Sequence, residues 1–422
     1  MNKFKNLGLS DDLVLSLSEL GYKEPSKIQS LSIPLALMGR DILGCAQTGT
    51  GKTASFVLPI IEILNNQKSK ARMPRSLILT PTRELAEQIS IYFKKILKNN
   101  KLNFCLLIGG TALTDQDKLL NKGVDILIAT PGRLIDHINR GNILFNDLKI
   151  LVIDEADRML DMGFIPDIIK INKLLPKIRQ TLFFSATLSN EIRNIGKDLL
   201  INPKEISVNP YSSTSKNIIS TFIKTNRKNK MNDLKKLLYI DSIKSAVIFC
   251  NKKVDIDKVS KFLKNNNFNT VSLHGDMDQS LRIKSLKRFK DKSAEILIAS
   301  DVAARGIDID GLSHVFNYDV PNNPEDYVHR IGRTGRAGKK GKAYTIFDDR
   351  DNSKIILIEK LIKKKVNKTT FDKIISSQKF KDKSSNQMKG KLKKISKPVL
   401  LPEENYLNFR ESGKIPDFLI TK

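Results

Sequence analysis

Asp41-Ile42-Leu43-Gly44-Cys45-Ala46-Gln47-Thr48-Gly49-Thr50-Gly51-Lys52-Thr53 decides the fold class of this chain. An apolar run of strand length enters a glycine-rich turn and leaves on a stretch with helical apolar spacing. Glycines let backbone N–H groups wrap an anion, and a helix N-terminus adds positive potential. In that pattern Lys52 neutralises phosphate oxygens and Thr53 offers a hydroxyl to Mg²⁺. The generic pattern opens on glycine, and Ala46 stands there instead. Taken alone, Gln47–Thr53 is also an ordinary glycine turn; the strand before it and the helix after it favour phosphate.

Outward from this loop, apolar runs alternate with amphipathic stretches. In the first half they are Asp41–Ala46, Ser76–Thr80, Phe104–Ile108, Asp125–Thr130, Ile150–Ile153 and Thr181–Phe184. In the second half they are Ala246–Cys250, Thr270–Leu273, Glu295–Ala299, His314–Tyr318 and Ala343–Phe347. Continuous apolar strands separated by helices read as parallel sheet covered on both faces. Two such series predict two tandem α/β domains, residues 1–206 and 217–362, joined by a polar, proline-bearing linker at 207–216. Residues 363–422 carry 16 Lys+Arg against 6 Asp+Glu, a net of +10, and Lys379–Lys397 lacks apolar periodicity. This stretch is expected to be a basic, disordered tail.

The chain has 422 residues and a formal charge of +28, which favours a polyanionic partner, nucleic acid or an anionic membrane surface. A Lys-, Asn- and Ile-rich composition is an equally good source of that charge. No apolar run is long enough to span a membrane, and the start leads into no secretory core. Cys45, Cys105 and Cys250 are isolated in or beside apolar runs, which fits buried thiols in a cytoplasm and no zinc site.

The polar clusters sit just after the strands, where ligands bind in open α/β sheets. Lys149–Ile153 runs into Asp154-Glu155-Ala156-Asp157. A carboxylate ending a buried strand beside a phosphate loop is the expected Mg²⁺ partner, which is Asp154. Glu155 is then placed to orient or deprotonate an attacking water. The second half holds His329-Arg330-Ile331-Gly332-Arg333-Thr334-Gly335-Arg336-Ala337-Gly338. Three guanidiniums without nearby carboxylates should face an anion, either as fingers supplied in cis to a nucleotide or as a surface patch for RNA.

With these segments in order, residues 4–350 resemble a DEAD-box RNA helicase of compact bacterial type. Ala46–Thr53 matches the family's own phosphate loop, and Gly21-Tyr22-Lys23-Glu24-Pro25-Ser26-Lys27-Ile28-Gln29 its adenine-reading segment. The resemblance implies two RecA-like domains and ATP with Mg²⁺ as cofactors. ATP would be held by Phe4, Tyr22, Gln29, Gln47, Thr48, Gly49, Thr50, Gly51, Lys52, Thr53 and Asp308, with Phe4 stacking on the base and Gln29 reading its edge. Mg²⁺ falls to Thr53 and Asp154. Catalysis falls to Lys52, Asp154, Glu155, Arg333 and Arg336. Coupling between domains falls to Asp157, Ser185, Thr187 and His329.

The RNA track it implies runs through Pro81, Thr82, Arg83, Gly110, Thr130 and Arg133, then Gly275, Gln279, Arg282 and Ser300. Ser300 replaces the family's usual Thr and keeps its hydroxyl. Hydroxyls, turns and single arginines suit phosphate and 2′-OH rather than base edges, so sequence-independent recognition is expected. The partner implied is RNA, within ribonucleoproteins or ribosome precursors, in the cytoplasm.

Overall fold

Short apolar runs become the strands of two sheets in the computed structural model, which describes residues 3–46, 49–65, 73–97, 101–208, 217–240, 243–304, 309, 311–335 and 340–374. The first sheet contains β1 (Ile42–Ala46), β2 (Ser76–Leu79), β3 (Phe104–Leu107), β4 (Ile126–Ala129), β5 (Ile150–Ile153), β6 (Gln180–Ser185) and β7 (Lys204–Val208). Its order is β3-β4-β2-β5-β6-β1-β7. The second contains β8 (Ile218–Lys224), β9 (Ala246–Phe249), β10 (Thr270–Leu273), β11 (Ile296–Ala299), β12 (His314–Asn317), β13 (Gly341–Phe347) and β14 (Lys368–Thr370). Its order, β10-β11-β9-β12-β13-β8-β14, repeats the first strand for strand. All pairings in both sheets are parallel.

Both faces of the first sheet are covered because its central strands are largely apolar. Ile150 and Val152 join one buried cluster, while Leu151 and Ile153 join another on the opposite face. That alternation is the period of two expected of a pleated strand. Each fully buried aliphatic side chain contributes about 1.5–3 kcal/mol, so burial on both faces holds the strand ends in place. The second sheet builds its own cluster around Phe222, Val247, Leu297, Val315 and Tyr327.

The strand runs read from sequence correspond to β1–β6 and β9–β13. Three strands lack that signature. β7 reads Lys-Glu-Ile-Ser-Val with both charged residues exposed, and β14 is only Lys-Thr-Thr. Both are edge strands, where one flank faces solvent and apolar continuity is not required. β8 reads Ile-Ile-Ser-Thr-Phe-Ile-Lys, its apolar run broken by Ser220 and Thr221. These strands move the expected boundaries: the first sheet runs to Val208, past residue 206 and into the expected linker. The second sheet runs to Thr370, past residue 362, and Phe371 beyond it is buried under Lys236, whose Nζ lies 4.9 Å from the ring centroid. The rest of the linker, 209–216, and the tail from residue 375 lie outside the described residues. All three cysteines are buried free thiols. Among the described residues, no helix is long and apolar enough to cross a membrane.

Candidate active site

The turn after β1 needs residues without a Cβ. Gly49 and Gly51 sit at φ +84° and +95°, the left-handed region that side chains disfavour. A Cβ on Gly51 would lie 2.4 Å from Gln29 Nε2. Lys52 then opens the helix Lys52–Asn65. Its Nζ is buried and has no hydrogen-bond partner among the described residues. A buried ammonium without a partner is costly, so this cradle fits an anion of several phosphates. Gln47 and Thr48 lie outside the described residues.

Gln29 joins the adenine-reading segment to this loop. Its Nε2 donates to Gly51 O at 3.1 Å, and its Oε1 accepts from Ser26 N at 2.8 Å. Tyr22 remains partly exposed, edge-on to Tyr92 at 6.3 Å. Phe4, expected to stack on the base, is buried in the core cluster that includes Leu17 and Ile28.

Asp154 directly follows β5, and Glu155 comes next in the left-handed region at φ +55°. For a residue with a long side chain that conformation is strained and typical of functional sites. Glu155 N donates to Asp154 Oδ1 at 2.9 Å. Burial pushes the Asp154 carboxyl well above the usual range, against the attraction of Lys52. Burial also opposes ionisation of Glu155, but Arg158, Lys52, Arg333 and His329 together outweigh it and hold that carboxyl low. A buried carboxylate short of positive charge, with the hydroxyl of Thr53 at the phosphate loop, is a hard oxygen donor set that fits Mg²⁺.

The second domain brings Arg333, also buried, into this field. Arg333 O accepts from Leu312 N at 3.1 Å, while Thr334 Oγ1 donates to Leu312 O. Arg330 is different. Its fork meets Asp301, Asn251 and the Asp319 carbonyl and lies over Phe249, so this guanidinium is a fixed strut of the domain and faces no ligand anion. Asp308 and Arg336 lie outside the described residues. Ser185, fully buried at the end of β6, accepts from Thr187 N at 3.3 Å. Asp157 follows Glu155 in the first turn of the helix Ala156–Asp161, and His329 is in the last turn of the helix Pro324–Ile331.

The expected RNA residues of the two domains meet. Thr82 caps the helix Arg83–Ile96 by accepting from Leu85 N at 3.4 Å. Arg83 fills the space over Gly110, where a Cβ would come within 2.5 Å of its Nη1. It also reaches Gln279 Oε1 at 3.5 Å in the second domain, while Glu84 pairs with Arg282 at 2.7 Å. Pro81 is buried beside Thr82, and Thr130 and Ser300 precede helices. Ser300 Oγ accepts from Ala303 N at 3.4 Å. Gly275 lies in the turn after β10, with the Lys253 ammonium near where a Cβ would be.

Arg133 donates to Thr111 O at 3.1 Å and to Gln116 Oε1 at 3.3 Å. The same Gln116 oxygen accepts from buried His137 at 2.8 Å.

Residues 26–195 match the family model of the DEAD/DEAH box helicases, and residues 229–338 match the helicase conserved C-terminal domain. The DEAD-box ATP-dependent RNA helicase CshA of Bacillus cereus is 39% identical over 414 residues, covering 96% of this chain and 78% of its own. This chain is a DEAD-box ATP-dependent RNA helicase. S. cerevisiae Dbp5 bound to RNA and ADP BeF3 superposes with a TM-score of 0.80 at 30% identity, covering 91% of the helicase and 99% of that chain. A DEAD box protein from Methanococcus jannaschii is 40% identical, yet its TM-score is 0.52 over 87% of this chain and 98% of its own.

Sequence reasoning on the helicase missed four side chains that organise the site: Glu84, Gln116, Arg158 and Asp301. Glu84 directly follows Arg83 and Asp301 directly follows Ser300, and their carboxylates were the available signal. They are what neutralises Arg282 and Arg330, two arginines read as facing an anion. Gln116 and Arg158 lie on helices with no local signal, since their partners are distant in sequence.

Proposed function

We propose that the helicase closes its two domains around single-stranded RNA when ATP binds, and that hydrolysis reopens them. The observation that carries this reading is a set of contacts between the two domains, Arg83 with Gln279, Glu84 with Arg282 and the Arg158 fork with the Val302 carbonyl. Neither domain alone holds that set. The greater likeness to an RNA- and ADP BeF3-bound relative than to a more identical one supports it, since shared domain folds leave domain arrangement as the difference.

In this reading Lys52 and the glycine turn hold the β- and γ-phosphates, and Gln29 links base recognition to that turn. Thr53 and Asp154 would hold Mg²⁺, which supplies charge neutralisation between phosphate oxygens when bound. Glu155 accepts a proton from the attacking water, and Arg333 with Arg336 offsets charge on the transferred group. Arg83, Thr82, Thr130, Arg133, Gln279, Arg282 and Ser300 contact the RNA backbone. Their hydroxyls and guanidiniums read phosphate and 2′-OH, so substrates are set by accessibility of a strand within ribonucleoproteins or ribosome precursors. Stacking is worth about 1.4 kcal/mol per step in DNA, so one closure can open a few steps. Three buried thiols suit work in a reducing cytoplasm.

Glu155→Gln tests the chemistry. It should bind ATP and RNA while RNA-stimulated turnover falls about 10²–10⁴-fold. Turnover near the unmutated rate would remove Glu155 as the base.

A further inference from the structure

Arg158 directly follows the acidic tetrapeptide, and its guanidinium is almost fully buried. Its Nη1 lies 3.4 Å from Glu155 Oε2, within the first domain. Its Nη2 donates to the carbonyl of Val302, which belongs to the second domain. One fork therefore spans the water-activating carboxylate and the opposite wall of the cleft.

The far end of that span is itself rigid. Val302 sits between Asp301, gripped by Arg330, and Ala303, whose N–H donates to Ser300 Oγ. The near end starts from strained backbone at Glu155, three residues before Arg158 on the helix Ala156–Asp161. When the domains part, Nη2 loses the Val302 carbonyl and the fork is free to turn. When they meet, both of its branches are held.

We infer that Arg158 is a positioning residue that makes the placement of Glu155 depend on arrival of the second domain. This deepens the role given to Glu155 above and rests on it. A planar fork can serve two acceptors at once, whereas a lysine ammonium is a point charge on a flexible stem. Misplacing a reacting group by about 1 Å can cost about 10²-fold in rate.

The test compares basal and RNA-stimulated ATP turnover of the full chain for Arg158→Lys and Arg158→Met, with thermal melting as a check on folding. Both variants should lose RNA-stimulated kcat by about 10-fold or more and lose a larger share of it than of basal turnover, so that the ratio of stimulated to basal turnover falls while the KM for ATP stays within about twofold. A packing role would scale basal and stimulated turnover together, so an unchanged ratio of the two overturns the inference. Full stimulation in Arg158→Lys overturns it as well, because charge without the fork would suffice. Should Arg158→Met fail to fold, Arg158→Lys alone decides. Failure of the underlying role of Glu155 is read separately, from Glu155→Gln retaining turnover.

Discussion

Arg330 grips Asp301 through a two-point fork, Nε to Oδ1 and Nη2 to Oδ2, each at 2.6 Å. The pair ties the helix Pro324–Ile331, which leads into Arg333, to the segment 300–304 that faces the first domain. Arg330→Met would take the buried guanidinium away from Asp301, Asn251 and the Asp319 carbonyl, a loss of about 1–3 kcal/mol. Arg330→Lys should recover only part of it, since one ammonium cannot replace a bidentate fork. Urea unfolding monitored in the second domain checks both, and a change under 1 kcal/mol in Arg330→Met would contradict the strut.

The Glu84–Arg282 pair crosses the cleft at 2.7 Å with both side chains largely buried. Glu84→Gln and Arg282→Gln, singly and together, form a double-mutant cycle on the RNA concentration giving half-maximal ATPase stimulation. Contacting residues of this kind couple by about 0.5–3 kcal/mol. Purely additive effects would mean the pair is not made in the RNA-bound state.

Arg333 is buried and acts on Glu155 from the opposite domain. Arg333→Ala should keep ATP affinity within severalfold and lower RNA-stimulated turnover about 10³-fold, the usual value of a finger arginine. Equilibrium binding of a fluorescent ATP analogue beside steady-state ATPase separates the two effects.

His137 gives a dependence on pH. Burial is the main cause that lowers its proton affinity, with Arg133 and Arg140 adding to it and Asp117 and Asp136 opposing. The Gln116 oxygen accepts from Arg133, so His137 Nε2 donates to that oxygen, and Nδ1 lies 3.2 Å from Asp117. The unfolded imidazole takes a proton near pH 6.5 and the folded one only below that. The unfolded state thus binds more protons, so this stabilising contribution is complete above about pH 6.5 and is lost as pH falls through the folded value. His137→Asn should shrink the stability difference between pH 7.5 and 5.5, measured by denaturant unfolding. An unchanged difference would exclude His137 as its source.

The central strands and the phosphate turn were legible because each is dictated locally: apolar runs buried on both faces, and glycines at positive φ before Lys52. The edge strands β7 and β14 were not, since each keeps one flank in solvent and shows no apolar run. Arginine partners were the other blind spot. Arg282, Arg330 and Arg158 find acceptors 198, 29 and 144 residues away in Glu84, Asp301 and Val302, and no local pattern records such pairings.

β14 occupies in the second sheet the place that β7 holds in the first, although it lies some thirty residues beyond the last matched family segment. A shortened protein ending at residue 362 would therefore strip the outer neighbour from β8 and leave its N–H and C=O groups bare along one side. Such open borders recruit strands from other molecules. Clumping by a protein trimmed there would be an artefact of where it was cut, whereas a version retaining Phe371 keeps that border sealed.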